Sequence, residues 1–191
     1  RERVIIVGFR SDQCSAWSFP KPTHSQAALQ ASKNDGTYWE RHGIPHRNRP
    51  HDPAANTFAF LPDGPSLQPW RTVRDAIADL PDPTLVPSGT VPNHVFIPGA
   101  RPYPGHTGSP LDEPAKTLKA GDHGVPGGEN MLLRPDGSVR YFTIREAARL
   151  QTFPDEYIWT ESWTETMRQL GNAVPVTLAE VIVKSVARCI A

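Results

Sequence analysis

The residues best suited to contacting an anion lie together in one basic and aromatic stretch. Between positions 38 and 51, arginines and histidines alternate with aromatic side chains, and Glu40 is the only acid. Local positive charge of this kind is what phosphate groups of a nucleic acid require. A solvated surface loop explains the same composition equally well, so both interpretations stay open. The members of this stretch are Tyr38, Trp39, Arg41, His42, His46, Arg47, Arg49 and His51.

Nucleophilic and metal-binding residues are sparse. Cys14 and Cys189 lie far apart in the sequence and have no credible base beside them. We therefore expect a loop thiol and a packed core residue, with no disulfide. The histidines at positions 42, 46 and 51 have ligand-like spacing, but no cysteine or carboxylate pair accompanies them, so no metal site is predicted. The sequence also has no glycine-rich nucleotide loop, which leaves no self-contained nucleophile or cofactor loop.

Composition limits which classes of protein the chain can belong to. The chain has 191 residues, with 20 basic and 20 acidic side chains, and its zero net charge excludes a globally basic nucleic-acid coat. Its 21 prolines predict much irregular structure, because proline is disfavoured inside helices and central strands. No apolar run approaches the ~20 residues of a membrane span. Since the chain begins without methionine in a β-rich run, we expect a piece of a longer protein.

Two elements are predicted in the first half of the chain. Residues Arg3 to Phe9 read RVIIVGF, a continuous apolar run typical of a buried strand. The segment from Arg10 to about Val139 is predicted to be irregular, with one clear helix in PWRTVRDAIADLP between Pro69 and Pro81. Short strands are candidates at 94–97 and 116–120.

In the second half of the chain, local sequence signals predict the secondary structure more precisely. Pro135-Asp136-Gly137 favours a turn between strands at 130–133 and 139–142. Thr143 and Glu146 form the capping-box pattern of a helix that reaches Gln151.

The C-terminal stretch is predicted to contain a turn and a last helix. Gly171-Asn172 interrupts it, and Pro175 opens the helix. One helix face is apolar and consists of Leu178, Ile182, Val186 and Ile190.

Three segments resemble sequence motifs of the DNA (cytosine-5) methyltransferases. RERVIIVGFR resembles the end of their eighth motif, TIREAARLQTFPDEY their ninth, and RQLGNAVPVTLAEVI their tenth. Their order and spacing also agree, with a variable target-recognition region between the eighth and ninth motifs. The resemblance extends over the whole chain.

The resemblance implies an α+β fold in three parts. Residues 1–10 would end a Rossmann-like catalytic domain that uses S-adenosylmethionine, 11–163 would form a small, irregular, β-rich target-recognition domain, and 164–191 would return as a helix to the catalytic domain. The family's Pro-Cys nucleophile, glycine-rich cofactor loop and Glu-Asn-Val segment lie upstream of the eighth motif and are not in this sequence. The implied partners are double-stranded DNA and an N-terminal catalytic portion or subunit that carries the nucleophile, with no membrane.

The resemblance also assigns catalytic and cofactor residues. Arg3 matches the family arginine that reaches the O2 oxygen of the target cytosine, and Arg1 matches its companion. The tenth motif places Asn172, Ala173 and Val174 along a partly present S-adenosylmethionine site, where a Gly-Asn turn would let backbone N–H groups face a carboxylate. The ninth motif is predicted to be structural.

DNA contacts are expected in the region between the motifs. AKTLKAGDHGVPGG resembles the family's Thr-Leu segment and its glycine-rich loop, so Thr117 matches the threonine that holds the phosphate at the flipped nucleotide. Lys119 and His123 are candidates for phosphate or base contacts. Arg41, Arg47 and Arg49 are the candidates from the basic stretch.

Several alternatives remain at this level. The chain could be the smaller subunit of a split methyltransferase, a non-catalytic DNA-binding remnant, or an RNA-methylating relative, although the recognition region of that relative is usually shorter. The bacterial members suggest a cytoplasmic, nucleoid-associated protein. The target DNA sequence cannot be deduced, because recognition loops diverge.

Overall fold

The computed structural model describes residues 4–14, 16–49, 67–120 and 129–190. The chain divides into two compact units, one formed by 1–20 with 72–191 and the other by 21–71. Both combine helices with small sheets, so the fold is mixed α/β. The predicted domain boundaries at 10 and 163 remain a prediction.

The smaller unit is a helical pair beside a two-stranded parallel sheet. Its core is Leu29, Tyr38 and Trp39, and the indole Nε1 of Trp39 donates to the Lys33 carbonyl over 2.9 Å. Two helices therefore lie where the sequence predicted irregular structure, and the aromatic residues of the basic stretch form a core. In chain order the elements are β1 (His24–Ser25), α1 (Gln26–Asn34), α2 (Thr37–Arg41), a 3-10 turn (His46–Asn48) and β2 (Gln68–Pro69).

The described part of the larger unit contains four helices and a three-stranded sheet, and three of the helices, α3 (Val73–Ile77), α4 (Ile144–Leu150) and α5 (Trp163–Asn172), contribute residues to its core. Strand β3 runs parallel to β4, and β4 pairs antiparallel with β5, with Met131 opposite Tyr141. The predicted hairpin around Pro135-Asp136-Gly137 is therefore confirmed. The elements are α3 (Val73–Ile77), β3 (Ser109–Pro110), β4 (Met131–Leu133), β5 (Val139–Tyr141), α4 (Ile144–Leu150), α5 (Trp163–Asn172) and α6 (Val176–Ile190).

Capping boxes set the starts of α3 and α4. Thr72 caps α3 with Asp75, so that helix begins later than predicted because Pro69 belongs to β2. Thr143 caps α4 with Glu146, which confirms the predicted helix start. Both caps satisfy amide groups that a helix start otherwise leaves unpaired.

Helix α4 lies against the core of the larger unit. Ala147 and Ala148 are buried, and Leu150 and Phe153 pack against the same cluster, as predicted. The cluster is Val73, Ile77, Leu118, Leu132, Phe142, Ala147, Ala148, Trp159, Met167 and Leu170.

The N-terminal run differs from its prediction. In the part that the structure describes, residues 4–10 pair with no strand, and exposed residues alternate with half-buried ones. Val4 and Ile6 are each 89% exposed, whereas Ile5 is half-buried. The predicted buried strand is wrong for these residues, because a buried strand needs neighbours on both edges and both faces.

The chain just after the N-terminal run, at Cys14 and Trp17, contacts α6. The Nε1 of Trp17 donates to Ser185 Oγ over 3.2 Å, and a disulfide joins Cys14 to Cys189, whose Cα atoms are 5.7 Å apart. The expectation of two unpaired cysteines was wrong, because sequence separation says nothing about which segments pack together. Across the described ranges, no helix is both long and apolar enough to cross a bilayer.

Candidate functional site

A cleft of about 410 Å³ lies in the larger unit where four segments meet. Ile5 contributes from the N-terminal run, Thr117 from the segment before residue 121, Gln151 from the end of α4, and Gly171 from the end of α5. The cleft therefore brings together side chains from all three motif segments and from the region between them. Its other lining residues are Ala115, Lys116, Leu118, Leu150, Pro175 and Leu178.

The Thr117 segment is held from both sides. The backbone N–H of Lys116 donates to Ser109 Oγ over 3.1 Å, and that of Lys119 donates to Asn130 Oδ1 over 2.9 Å. Thr117 offers its carbonyl to the N–H of Glu129 at 2.6 Å. These bonds hold the segment in place, although the strand predicted at 116–120 does not form. The Thr117 hydroxyl makes no hydrogen bond to any described residue, so it is available to a ligand.

Gly171 brings this segment against α5. A Cβ atom at Gly171 would lie 2.8 Å from the Lys119 carbonyl oxygen and 2.8 Å from Ala120 Cβ. Contacts this short do not occur between unstrained atoms, so the approach requires a residue without a side chain. Sequence reasoning placed Gly171 in a cofactor-lining turn and missed this packing role.

The predicted Gly-Asn turn is wrong. Gly171 and Asn172 are the last residues of α5, and the N–H of Ala173 donates to the carbonyls of Gln169 and Leu170. The helix ends here because Pro175 excludes helical backbone at the residue before it, Val174. The side chains of Asn172 and Val174 are exposed, and Ala173 is half-buried.

The end of α4 holds the corner between α5 and α6. Gln151 accepts the N–H of Val176 at 3.1 Å and donates its side-chain amide to the Leu170 carbonyl at 3.0 Å. Thr152 Oγ1 accepts the N–H of Thr177 at 2.9 Å. Two amides in the first turn of α6 are thus already bonded, which removes them as anion ligands.

Thr152 adopts a left-handed conformation to make this contact. Its φ is 57°, which is unusual for a β-branched residue and costs roughly 1–3 kcal/mol. Sequence reasoning overlooked both Gln151 and Thr152. The sequence offered one signal for their role, which is that Gln151 and Thr152 form a polar pair between the predicted helix and Phe153-Pro154.

The arginines of α4 stabilise the loop that follows it. Arg145 is fully buried, and its guanidinium donates to the carbonyls of Pro92 and Tyr157. Arg149 forms ion pairs with Asp79 and Asp155, and its hydrogen bonds hold the pKa of Asp155 below the ordinary value. The structural role predicted for the ninth motif is confirmed by these contacts.

The arginines of the basic stretch lie in the smaller unit. Arg41 lies over the ring of Tyr38 at 5.4 Å, with its side chain exposed, and Arg47 is exposed on the 3-10 turn. Arg49 donates to the Ile44 carbonyl over 3.4 Å and is half-buried. Two of these cations are therefore accessible.

Some predicted residues fall outside the described ranges. Arg1, Arg3, His51 and His123 are among them. Of the others, Thr117 lies in the cleft beside the corner that carries Asn172, Ala173 and Val174, whereas Lys119 lines a separate cavity.

The known proteins that this chain resembles include several Type II methyltransferases. M.NgoFVII, a Type II methyltransferase of Neisseria gonorrhoeae, is 31% identical over 92% of this chain and 42% of its own length. M.BsuRI, a Type II methyltransferase of Bacillus subtilis, is 28% identical over 98% of the chain and 38% of its length. M.AplI of Arthrospira platensis is 47% identical over 40% of the chain and 22% of its length.

The chain therefore spans less than half of the length of each of these three relatives. The model of the C-5 cytosine-specific DNA methylases matches it over residues 1–188. Since that match covers almost the whole sequence, the chain belongs to the family of C-5 cytosine-specific DNA methylases.

Proposed function

We propose that this chain is the C-terminal part of a sequence-specific DNA cytosine-5 methyltransferase. It would bind double-stranded DNA and complete the site in which a flipped-out cytosine is methylated. The observation that carries the proposal is the cleft, in which Thr117 lies beside the corner between α5 and α6 and beside the run that begins just after Arg3. The family match supports the same role.

The three-part organisation belongs to this proposal. Residues 1–10 would close a Rossmann-like catalytic domain, 11–163 would read the DNA, and 164–191 would return to the catalytic domain. Val4, Ile6 and several apolar side chains of α6 are exposed in this chain, as expected of surfaces that pack against further protein. Of the predicted apolar face of α6, Leu178 and Ile190 are exposed, whereas Ile182 and Val186 are half-buried.

The chain's own residues would contribute to catalysis by positioning and by charge. A cytosine must leave the base stack before its ring can be attacked. Thr117 would donate its hydroxyl to the phosphate beside that nucleotide. Arg3 would donate to the O2 oxygen of the ring, stabilising the negative charge that develops as a thiolate adds to carbon 6. Neither Cys14 nor Cys189 follows a proline, so the thiolate would come from another part of the enzyme.

The corner between α5 and α6 fits a cofactor through its side chains. S-adenosylmethionine supplies the methyl group when it is bound. The exposed amide of Asn172 makes no hydrogen bond to a described residue and can bond to a polar group of the cofactor, while Val174 offers an apolar contact. The bonded amides of Ala173, Val176 and Thr177 are not available, so binding through a helix N-terminus is not part of the proposal.

DNA binding should show the signature of phosphate contacts. Replacing Arg41, Arg47 or Lys119 by alanine is expected to weaken binding to all duplex sequences about equally. Each replacement should flatten the log–log salt dependence of affinity by about 0.9, because one fewer counterion is released. Fluorescence anisotropy at several salt concentrations measures both quantities. Lys184→Ala is the matched control, because Lys184 pairs with Glu180 on α6. An unchanged slope in all three variants would exclude these residues from the DNA interface.

Arg3 should affect turnover and not the salt dependence. With the upstream catalytic portion supplied, Arg3→Ala is expected to reduce single-turnover methyl transfer by roughly 10²–10³, as for the loss of one preorganised donor. Arg3→Lys should rescue poorly, because an ammonium lacks the planar arrangement of donors. Near-normal transfer by the alanine variant would remove Arg3 from the catalytic residues.

The isolated chain serves as the background for this measurement. With both cysteines replaced by serine it should transfer no methyl group, since it has no other thiol to add to the ring. Methylation by that variant alone would contradict the proposed division of the active site.

A further inference from the structure

A second cavity of about 300 Å³ lies in the larger unit and has aromatic walls. We name it the aromatic cavity. Tyr103 and His106 contribute one ring pair, with centroids 4.3 Å apart, and Tyr141 and Trp163 contribute another, with centroids 5.0 Å apart. The other lining residues are Lys119, Glu129, Asn130, Met131, Thr164, Glu165, Met167 and Arg168.

Hydrogen bonds hold the backbone beside one ring pair and one ring of the other pair. Tyr103 and His106 exchange two backbone hydrogen bonds, of 3.0 and 2.8 Å, across a tight turn. Trp163 donates its indole N–H to the Phe142 carbonyl over 2.9 Å. The turn that carries Tyr103 and His106 and the ring of Trp163 are therefore already held in place before a flat ligand binds, which lowers the ordering cost of binding.

A buried carboxylate lies among these rings. Glu129 is only 3% exposed, and its Oε2 accepts the backbone N–H of Gly108 at 3.0 Å. No other described residue donates to this carboxylate. Within the described ranges this carboxylate has one neutral donor, and a ligand that brings further donors would offset the cost of its burial.

The remaining polar groups of the aromatic cavity complete its chemistry. The ammonium of Lys119 has no bonding partner among the described residues, although its backbone is held by Asn130. Arg168 is already paired with Glu165. The lining therefore combines aromatic faces with one buried acceptor that has a single described donor and one cation that has no described partner.

We propose that the aromatic cavity binds one unpaired nucleotide of DNA whose base carries an exocyclic amine. The base would stack on the aromatic rings, its amine would donate to Glu129, and Lys119 would contact its phosphate. Adenine, cytosine and guanine have such an amine and thymine has none. This role goes beyond the proposed function, because the cytosine to be methylated would lie at the cleft lined by Thr117, which does not line the aromatic cavity.

The test compares duplexes that differ by one bulged nucleotide. The full chain is titrated with one labelled duplex, either fully paired or carrying a single bulged dA, dC, dG or dT, and affinity is measured by fluorescence anisotropy. The three amine-bearing bulges are expected to bind roughly fivefold or more tightly than both the paired duplex and the dT bulge, from base stacking on the rings and the added hydrogen bond.

Two variants and one control separate the contribution of ring stacking from that of the hydrogen bond to Glu129. Tyr103→Ala should abolish the gain from a bulge, and Tyr157→Ala should not, since Tyr157 is similarly exposed, 49% against 51%, and lies outside the aromatic cavity. Glu129→Gln retains an acceptor for the N–H of Gly108. In this variant the affinity for the dT bulge should equal the affinity for the dA, dC and dG bulges. Since Tyr103 is half exposed, its variant remains informative if the buried Glu129 variant fails to fold.

Each outcome has a defined meaning. Equal affinity for bulged and paired duplexes overturns the aromatic cavity as a nucleotide site and leaves the proposed function standing. A bulge preference that survives Tyr103→Ala also overturns it. Binding to amine-bearing bulges without binding to paired duplex supports the site and counts against the proposed function. Failure to bind any of the five duplexes contradicts both.

Discussion

Gly171 shows how a single missing side chain can position a ligand-binding segment. The residue lies in the last turn of α5, and the backbone of Lys119 and Ala120 packs directly on it. The same contact holds Thr117 beside the corner between α5 and α6. A glycine that a motif suggests for cofactor binding therefore acts here through packing.

Replacing Gly171 by alanine tests this role. The added methyl group would lie 2.8 Å from the carbonyl oxygen of Lys119, whose amide is bonded to Asn130, so the segment has to shift. We expect a loss of about 1–3 kcal/mol in the free energy of unfolding, as for overpacked cores. Urea denaturation measures it. Gly8→Ala is the control, since a Cβ there meets nothing within 4 Å. Equal stability of the two variants would show that the segment adapts freely.

At the scale of elements, α4 links β5 at its start to the loop at Asp155 and to helices α5 and α6 at its end. Its start is closed by the Thr143 capping box, and its Glu146 also pairs with the buried Arg140, at 2.7 Å. Its end supplies Gln151 and Thr152 to the following helices, and Arg149 binds Asp155 in the loop beyond. Disturbing either end should therefore affect the whole site.

The ion pair at the end of α4 predicts a dependence of stability on pH. The hydrogen bonds from Arg149 lower the pKa of Asp155 in the folded chain. A lowered carboxylate pKa contributes stability above the unfolded pKa of about 3.9, and this is lost as pH falls through the folded value. Asp155→Asn should therefore destabilise the chain at neutral pH and approach the parent in acid.

The effect on stability is measured as the urea midpoint of unfolding of the parent and of Asp155→Asn at several pH values from neutral to acid. The matched control is Glu156→Gln, which removes a neighbouring carboxylate that pairs with no described cation. A gap between the parent and Asp155→Asn that stays constant from neutral to acid pH would contradict the assignment.

The elements that the sequence predicts well are those whose signals are local. The Thr143 capping box and the turn at Pro135-Asp136-Gly137 each fix a structure within a few residues, and both form as expected. Helices α1 and α2 are missed because the surrounding prolines suggest irregular structure. The strand predicted in the N-terminal run does not form. A buried strand depends on neighbouring strands, and a local sequence pattern cannot show whether they are present.

Site geometry is predicted less well for a related reason. The motif pattern predicts roles for Thr117 and for the segment at 172–174. Thr117 lines the cleft, whereas that segment contributes only its two flanking residues, Gly171 and Pro175. The amides that seemed free are bonded to Gln151 and Thr152, two residues that no motif role pointed to. Such long-range bonds depend on tertiary packing, which spacing alone does not encode.

At the scale of the whole molecule, apolar side chains remain uncovered on two segments. On α6, Leu178, Val183 and Ile190 are 43%, 64% and 55% exposed, and Val4 and Ile6 on the N-terminal run are more exposed still. Apolar surface of this extent marks an interaction site or a tendency to aggregate.

The isolated chain is therefore expected to self-associate. Sedimentation velocity between low and high micromolar concentration should show a rising weight-average mass. Glutamine at Leu178 and Ile190 should reduce the association, whereas glutamine at Leu85, an exposed leucine outside both segments, should not. A strictly monomeric parent at high micromolar concentration would contradict this expectation.

The pairing of β1 with β2 has a consequence for how the chain can change length. Because Ser25 lies opposite Pro69, the backbone enters and leaves the smaller unit at neighbouring points. A segment with adjacent ends can be enlarged, shortened or exchanged without altering the path of the chain on either side. This position is therefore a natural insertion point, where related sequences could gain or lose dozens of residues while the cleft and the aromatic cavity, both in the larger unit, keep their lining.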